Sequence, residues 1–316
     1  MTPKIIYLDQ NKWIELAKAN LNSCTSEDLR AILVKCKDLT GCGKAIFPLA
    51  WTHFVETGNS GDWSRRRNLA DIMIELSNGH TILPQSQLTF LEMENVISAE
   101  FGCNVDRENF AVIGKGIGFA FGKNINDFPS GHLNPNAKVA FNDYLNSPEL
   151  MRLVLMGVDE SNRQITKTMI RDLAKNHASL YELVREKMVN MTDSSRKDMV
   201  IADLVYCLRN ELNLILDKLD LSINDFFKLG KEKILEIFRN IPTLHVEVEL
   251  SLERNKHWNR KIDPNDTRDI SMLSVAIPYC DVVITESFWS NVVQRKGLDV
   301  EYKTVISKKL EAINNI

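Results

Sequence analysis

The sequence predicts an α/β fold in which a parallel, Rossmann-like sheet is interrupted by a large all-helical insertion. Two observations carry this. Short apolar runs alternate with helical periodicity at both ends of the chain, over 1–92 and again over 243–316, while the strand signal disappears between 93 and 242. Strands that alternate with helices form a parallel sheet covered on both faces.

Taken in order, Ile5-Ile6-Tyr7-Leu8 is an apolar run ending at Asp9, long enough for a buried strand and too short for a helix. Trp13, Leu16 and Ala17 follow at helical spacing, and Ser26, with Glu27 and Asp28, opens a second helix carrying Leu29, Ile32, Leu33 and Cys36. Ala45-Ile46-Phe47-Pro48 reads as a second strand and a short helix runs through Glu56. Asp62 caps a longer helix that Asn78-Gly79 stops, and Thr81-Ile82-Leu83-Pro84 reads as a third strand. Residues 101–145, rich in Gly, Asn and Pro, read as a long ordered loop or lid, and 146–241 as helices. Leu244, Val246, Val248, Leu250 and Leu252 alternate like a strand, but Leu244, Val248 and Leu252 also share a helix face, and the helix is preferred. Asp266 then caps a helix that Pro278 ends, a strand covers 281–285, and a further helix, a strand over 302–306 and a C-terminal helix complete the pattern.

The 316 residues are 44% hydrophobic and 26% charged, too apolar for a disordered chain. No run of about 18 apolar residues is present, and the beginning lacks the apolar stretch of a signal peptide, so a cytoplasmic protein with no membrane partner is expected. Six cysteines at irregular spacing, Cys24 among them, are expected to be free thiols, and no histidine or cysteine spacing points to zinc. The net charge of −3 advertises no polyanion partner, so any nucleic-acid contact is a local patch.

Acidic residues fall where a parallel sheet builds its ligand crevice, beyond the carboxyl ends of the strands. Asp9 follows the first strand, Glu56 lies on the helix after the second, Asp269 lies in the first turn of a late helix, and Glu286 follows the strand over 281–285. Converging carboxylates repel unless they share hard cations, and Mg²⁺ or Mn²⁺ suits an oxygen-only site.

The run Tyr7-Leu8-Asp9-Gln10-Asn11-Lys12-Trp13-Ile14, the stretch Trp51-Thr52-His53-Phe54-Val55-Glu56, and the segment from Pro264-Asn265-Asp266-Thr267-Arg268-Asp269-Ile270 to Cys280-Asp281-Val282-Val283-Ile284-Thr285-Glu286 resemble the acidic motifs of PIN-domain-like nucleases. The resemblance implies a PIN-like domain over 1–92 and 243–316 with a helical insertion over 93–242. It also implies one or two Mg²⁺ or Mn²⁺ ions and hydrolysis of single-stranded RNA leaving a 5′-phosphate. Carried over, the catalytic acids are Asp9, Glu56, Asp269 and Glu286. Many members have an aspartate where this chain has Ser287, so Glu286 or Asp281 contributes instead, and Asp266 joins the metal-ligand candidates.

Each acid also has a structural reading. Asp266 and Asp269 fit a capping box, Asp9 can cap the helix after it, and Glu56 can be a solvated charge. Lys12 and Asn11 are candidates to bind phosphate, and Arg254, Lys256 and Arg260, interleaved with His257 and Trp258, to bind a single strand, as is Trp63 with Arg65-Arg66-Arg67. Gly114-Lys115-Gly116-Ile117-Gly118 and Gly122-Lys123-Asn124 match no phosphate-loop pattern and read as loop punctuation. The helical block is expected to wall the cleft or to bind a protein partner. The rival to a nuclease is a non-catalytic adapter on the same fold.

Overall fold

The structure, a computed structural model, describes residues 2–21, 26–103, 110–123, 134–157 and 160–316; Cys24 and Asn124 lie outside them. It is mostly helical, with a four-stranded parallel sheet and a two-stranded ladder. The described cysteines are free thiols, and no described helix is long and apolar enough to cross a membrane. The chain divides into two compact units, one of Met1–Pro84, Ala111–Ile170 and Tyr279–Ile316, the other of Gln85–Phe110 and Arg171–Pro278. The helical unit is therefore not the segment 93–242: it takes in 85–92 and 243–278, while 111–170 goes with the sheet.

In the first unit β1 (Lys4–Leu8) is the centre of the sheet, with β2 (Ala45–Ile46) on one side and β5 (Val282–Ile284) on the other. β6 (Val305–Ser307) lies outside β5, giving the all-parallel order β2-β1-β5-β6. Helices α1 (Gln10–Ala19), α2 (Glu27–Gly41), α3 (Trp51–Asn59) and α4 (Trp63–Ser77) pack with the sheet around Ile6, Leu8, Trp13, Phe47, Phe54 and Met73. Burial of each large side chain contributes about 2–3 kcal/mol. The local signals hold: Ser26 caps α2 through Leu29 N–H, Asp62 caps α4 through Arg65 N–H, and Asn78 ends α4 in the left-handed region at φ 47°.

The expected third strand does not extend this sheet as read. β3 (His80–Ile82) pairs antiparallel with β4 (Ile113–Lys115) and touches the strand side only through a bridge from Thr81 to Leu49. β4 falls inside the stretch read as a lid, which also holds α6 (Gly116–Ala120) and α7 (Pro135–Leu145). The glycines here serve packing. A Cβ on Gly114 would lie 2.4 Å from the Phe119 ring, and Gly116, at φ +83°, has the backbone of Asn146 2.4 Å from where its Cβ would be. α8 (Pro148–Met156) packs on α3 and α4, and α16 (Ser287–Lys296) and α17 (Leu298–Tyr302) precede β6. The last element is a 3₁₀ turn, Leu310–Asn315, rather than an α-helix.

The second unit is all helical. It comprises α5 (Gln85–Glu100), residues 171–188 of α9 (Glu160–Met188), α10 (Asp193–Cys207), α11 (Arg209–Lys218), α12 (Ile223–Lys228), α13 (Lys231–Arg239), α14 (Pro242–Lys256) and α15 (Asp266–Tyr279) up to Pro278. α14 packs against α5, α10 and α13. Leu244, Val246, Val248, Leu250 and Leu252 are all buried, because a central helix is enclosed on every side. That explains why its sequence satisfies strand and helix periods alike.

Candidate functional site

β1 and β5 are neighbours although β2 lies on the far side of β1, so strand order reverses between them and their carboxyl ends flank the position where open α/β sheets bind ligands. Two acids stand there. The Asp9 N–H donates to the Ile284 carbonyl at 2.9 Å, extending the ladder by one residue. Its side chain accepts from Gln10 N–H at 2.7 Å and, at 3.4 Å, from the Thr285 hydroxyl. Asp9 is thus the N-cap residue of α1, yet of the helix amides described its carboxylate bonds that of Gln10 rather than one further into the first turn. Burial raises its pKa, opposed by the Gln10 and Thr285 hydrogen bonds and by the Lys12 charge. Lys12 Nζ itself bonds Glu15 at 2.6 Å. Glu286, exposed, occupies the corresponding N-cap position of α16 in extended backbone and makes no side-chain cap bond.

Glu56 is half-buried on α3, which leaves the same carboxyl edge after β2. Sequence reasoning missed the wall that holds this helix. Gln10 Nε2 donates to Thr57 Oγ1 at 3.0 Å, and His53 stacks on Tyr7 with ring centroids 5.6 Å apart and meets Trp13 edge-on at 6.1 Å. His53 Nδ1 accepts the Ala50 N–H at 2.9 Å, so the ring's proton sits on Nε2, and burial lowers its pKa to about 3. His53 is a neutral structural ring. Gln10 Oε1 and Trp13 Nε1 are buried in the same wall and, among the described residues, have no hydrogen-bond partner. The i, i+3 spacing of Gln10 and Trp13 and the i, i+4 spacing of His53 and Thr57 were the available signals.

Asp281 corrects an expectation. It precedes β5, where Lys4 Nζ donates to Oδ1 at 2.6 Å and Ile5 N–H to Oδ2 at 2.9 Å. Although partial burial opposes it, these bonds and the Lys4 charge hold its pKa below the usual value. Asp281 belongs to the amino edge of the sheet, about 13 Å of strand from Asp9 at about 3.3 Å per residue, and cannot share an ion with it.

Asp266 and Asp269 belong to the helical unit. Asp266 is fully buried, its two oxygens each 2.7 Å from the Arg260 guanidinium, with Asp263 N–H donating at 2.9 Å. That saturates it as a structural ion pair and removes it from the metal candidates. Asp269 is half-buried one turn on, its N–H bonded to Asn265.

Two arginines of the basic segment are committed to structure. Arg254 is 3% exposed, its guanidinium 3.8 Å from the Tyr181 ring centroid, and cannot touch RNA. Arg260 is spent on Asp266, and Lys256 bonds Asp193 at 2.8 Å. Arg185 donates to the carbonyls of His257 and Arg260, while Glu182 accepts the Ile262 N–H, pinning the loop. Arg66 is likewise buried, donating to the carbonyls of Met156, Ser60 and Gly61. Asn11 is exposed on the first turn of α1.

Among the described residues, no three His, Cys, Asp or Glu side chains gather closely enough to hold a metal ion. The edge does supply hard oxygen donors from Asp9 and Glu286, which fits the habit of Mg²⁺ to bind through one or two carboxylates and complete its shell with water and substrate phosphate. Comparison with protein-family models, curated proteins and solved structures found no match.

Proposed function

We propose that the sheet unit is a PIN-like endoribonuclease domain that hydrolyses phosphodiester bonds of single-stranded RNA with Mg²⁺ or Mn²⁺. The observation that carries this reading is Asp9. It is desolvated at the strand-order reversal, and among the described residues no cationic side chain bonds it. A half-buried carboxylate that loses part of its hydration without a bonded counter-charge is poised to accept one. Asp9 and Glu286 would hold the cation, which when bound supplies charge for the scissile phosphate and an activated water. Thr285 orients Asp9, Glu56 provides a further carboxylate on the adjoining helix, and Lys12 offers a cation one turn into α1.

The test is cleavage of labelled single-stranded RNA with Mg²⁺ or Mn²⁺ and with EDTA. Asp9→Asn abolishes 5′-phosphate products, and Asp281→Asn retains them because its role is the Lys4 pair. Cleavage that survives both EDTA and Asp9→Asn overturns the reading. One observation favours an adapter instead: the absence of a three-ligand cluster among the described residues. Calorimetric titration with Mn²⁺ separates the two, since an adapter shows no Asp9-dependent binding.

A further inference from the structure

We propose that α9 is a self-association helix, pairing in parallel with α9 of a second copy of this chain. Its two sides differ sharply. Ala178, Arg185 and Met188 are buried, so that side packs within the protein. Met169, Leu173, Leu180 and Leu183 are 67%, 57%, 58% and 55% exposed, and Ile165 is 60% exposed. At 100° per residue these five fall within about 80° of arc, too narrow and too continuous for scattered surface hydrophobes.

The spacing identifies the occupant. Met169, Leu173, Asn176, Leu180 and Leu183 advance by four, three, four and three residues, the seam of a two-helix coiled coil with Leu173 and Leu180 at a and Met169, Asn176 and Leu183 at d. Helices that pair with such a seam carry the same repeat, and a second α9 supplies it in register. Asn176, exposed, then meets its own copy, a polar layer that favours one register over slipped ones.

Charge disfavours the antiparallel pair, which would bring Asp172 against Glu186, both at g, where like charges repel. The parallel pair avoids that clash, setting Asp172 at g across from His177 at e of the partner helix, five residues further on. Area supports a specific contact. Taking about 100 Å² for an aliphatic side chain of this size, the five present on the order of 300 Å² per copy. Two copies then bury about 600 Å² from these residues alone, with Asn176 and the flanking positions adding toward the roughly 1,000 Å² at which specific interfaces begin.

Sedimentation velocity over a concentration series tests this on the full chain. A reversible dimer is expected, and Leu180→Glu and Leu173→Glu should each raise its Kd by about thirtyfold or more. Both sites are exposed, so circular dichroism and melting of the dilute monomer should match the parent. Leu180→Cys should cross-link to its own copy under mild oxidation, with the bridge mapped by mass spectrometry. A chain that stays monomeric at every concentration overturns the proposal, as does a dimer indifferent to both glutamates. A dimer that they disrupt but in which Leu180→Cys does not bridge overturns the parallel seam.

Discussion

Gln10 Nε2 and Thr57 Oγ1 lie 3.0 Å apart in a buried contact that clamps the first turn of α1 to the last half of α3. Since Asp9 immediately precedes Gln10 and Glu56 immediately precedes Thr57, this neutral bond fixes the backbones of two candidate acids. Thr57→Val leaves the Gln10 amide unpaired in a buried site and should cost about 1–3 kcal/mol. Gln10→Leu should cost less alone, and the double variant should recover part of the loss because both polar partners are gone. Urea unfolding of the four proteins measures the coupling.

Asp9→Asn should stabilise the metal-free protein at neutral pH. The folded pKa of Asp9 is raised by burial, so at neutral pH the charged group is a burden that the unfolded chain does not carry. Asparagine keeps an acceptor for Gln10 N–H without the charge. A higher melting temperature than the parent's at neutral pH is expected. The gain should shrink as pH falls toward the ordinary aspartate pKa; melting curves at pH 7 and pH 4 give the comparison.

Arg260→Met should damage stability rather than RNA affinity. It strands the buried Asp266 carboxylate, which then keeps only the Asp263 amide, and breaking one side of a buried pair costs about 3–5 kcal/mol. Thermal melts should show the loss. If the variant instead melts like the parent and binds RNA with a shallower salt dependence, Arg260 is a phosphate contact.

The two units should respond to acid in opposite directions. His53, at about 3 in the folded state, is held neutral, so its stabilising contribution is complete above the ordinary value near 6.5 and is lost as pH falls toward 3. Glu247 accepts from Gln85 Nε2 at 2.6 Å, and burial pushes it up to about 7. Its contribution is complete below the ordinary value of 4.5 and is lost as pH rises through 7. Hydrogen exchange followed peptide by peptide should therefore find α3, which carries His53, loosening from pH 6.5 to 4.5 and α14 tightening. Glu247→Gln should abolish the second trend alone.

Local chemistry was readable in the sequence and distant partnership was not. Ser26, Asp62 and Asn78 end helices through atoms a few residues away, and β1 and β5 announce themselves as apolar runs. β4 does not, because three residues with a central glycine have no period and their pairing with β3 is settled by Phe119 and Asn146. At the site, Asp9 was legible as the acid where a strand becomes a helix. Asp281 carries the same chemistry one strand over, and only the direction of β5 relative to Lys4 assigns it to the other edge. Arg254 and Arg260 read as a surface patch because nothing local reveals Tyr181 beside one or the buried position of Asp266 beside the other.

The parallel pairing of β1 with β5 joins residues 4–8 to residues 282–284, with the whole helical unit between them. A ribosome adding roughly 5–20 residues per second takes about 15–55 s to travel from one strand to the other. Throughout that interval β1 has β2 alone as its sheet neighbour, with the backbone N–H and C=O groups of its other edge unpaired. The helical unit is complete in sequence before β5 emerges. Translation therefore imposes an order on the molecule: helices first, sheet last, with Asp9 and Glu286 brought to one edge only once β5 has followed. A stalled or truncated chain would carry a finished helical unit beside an unfinished sheet.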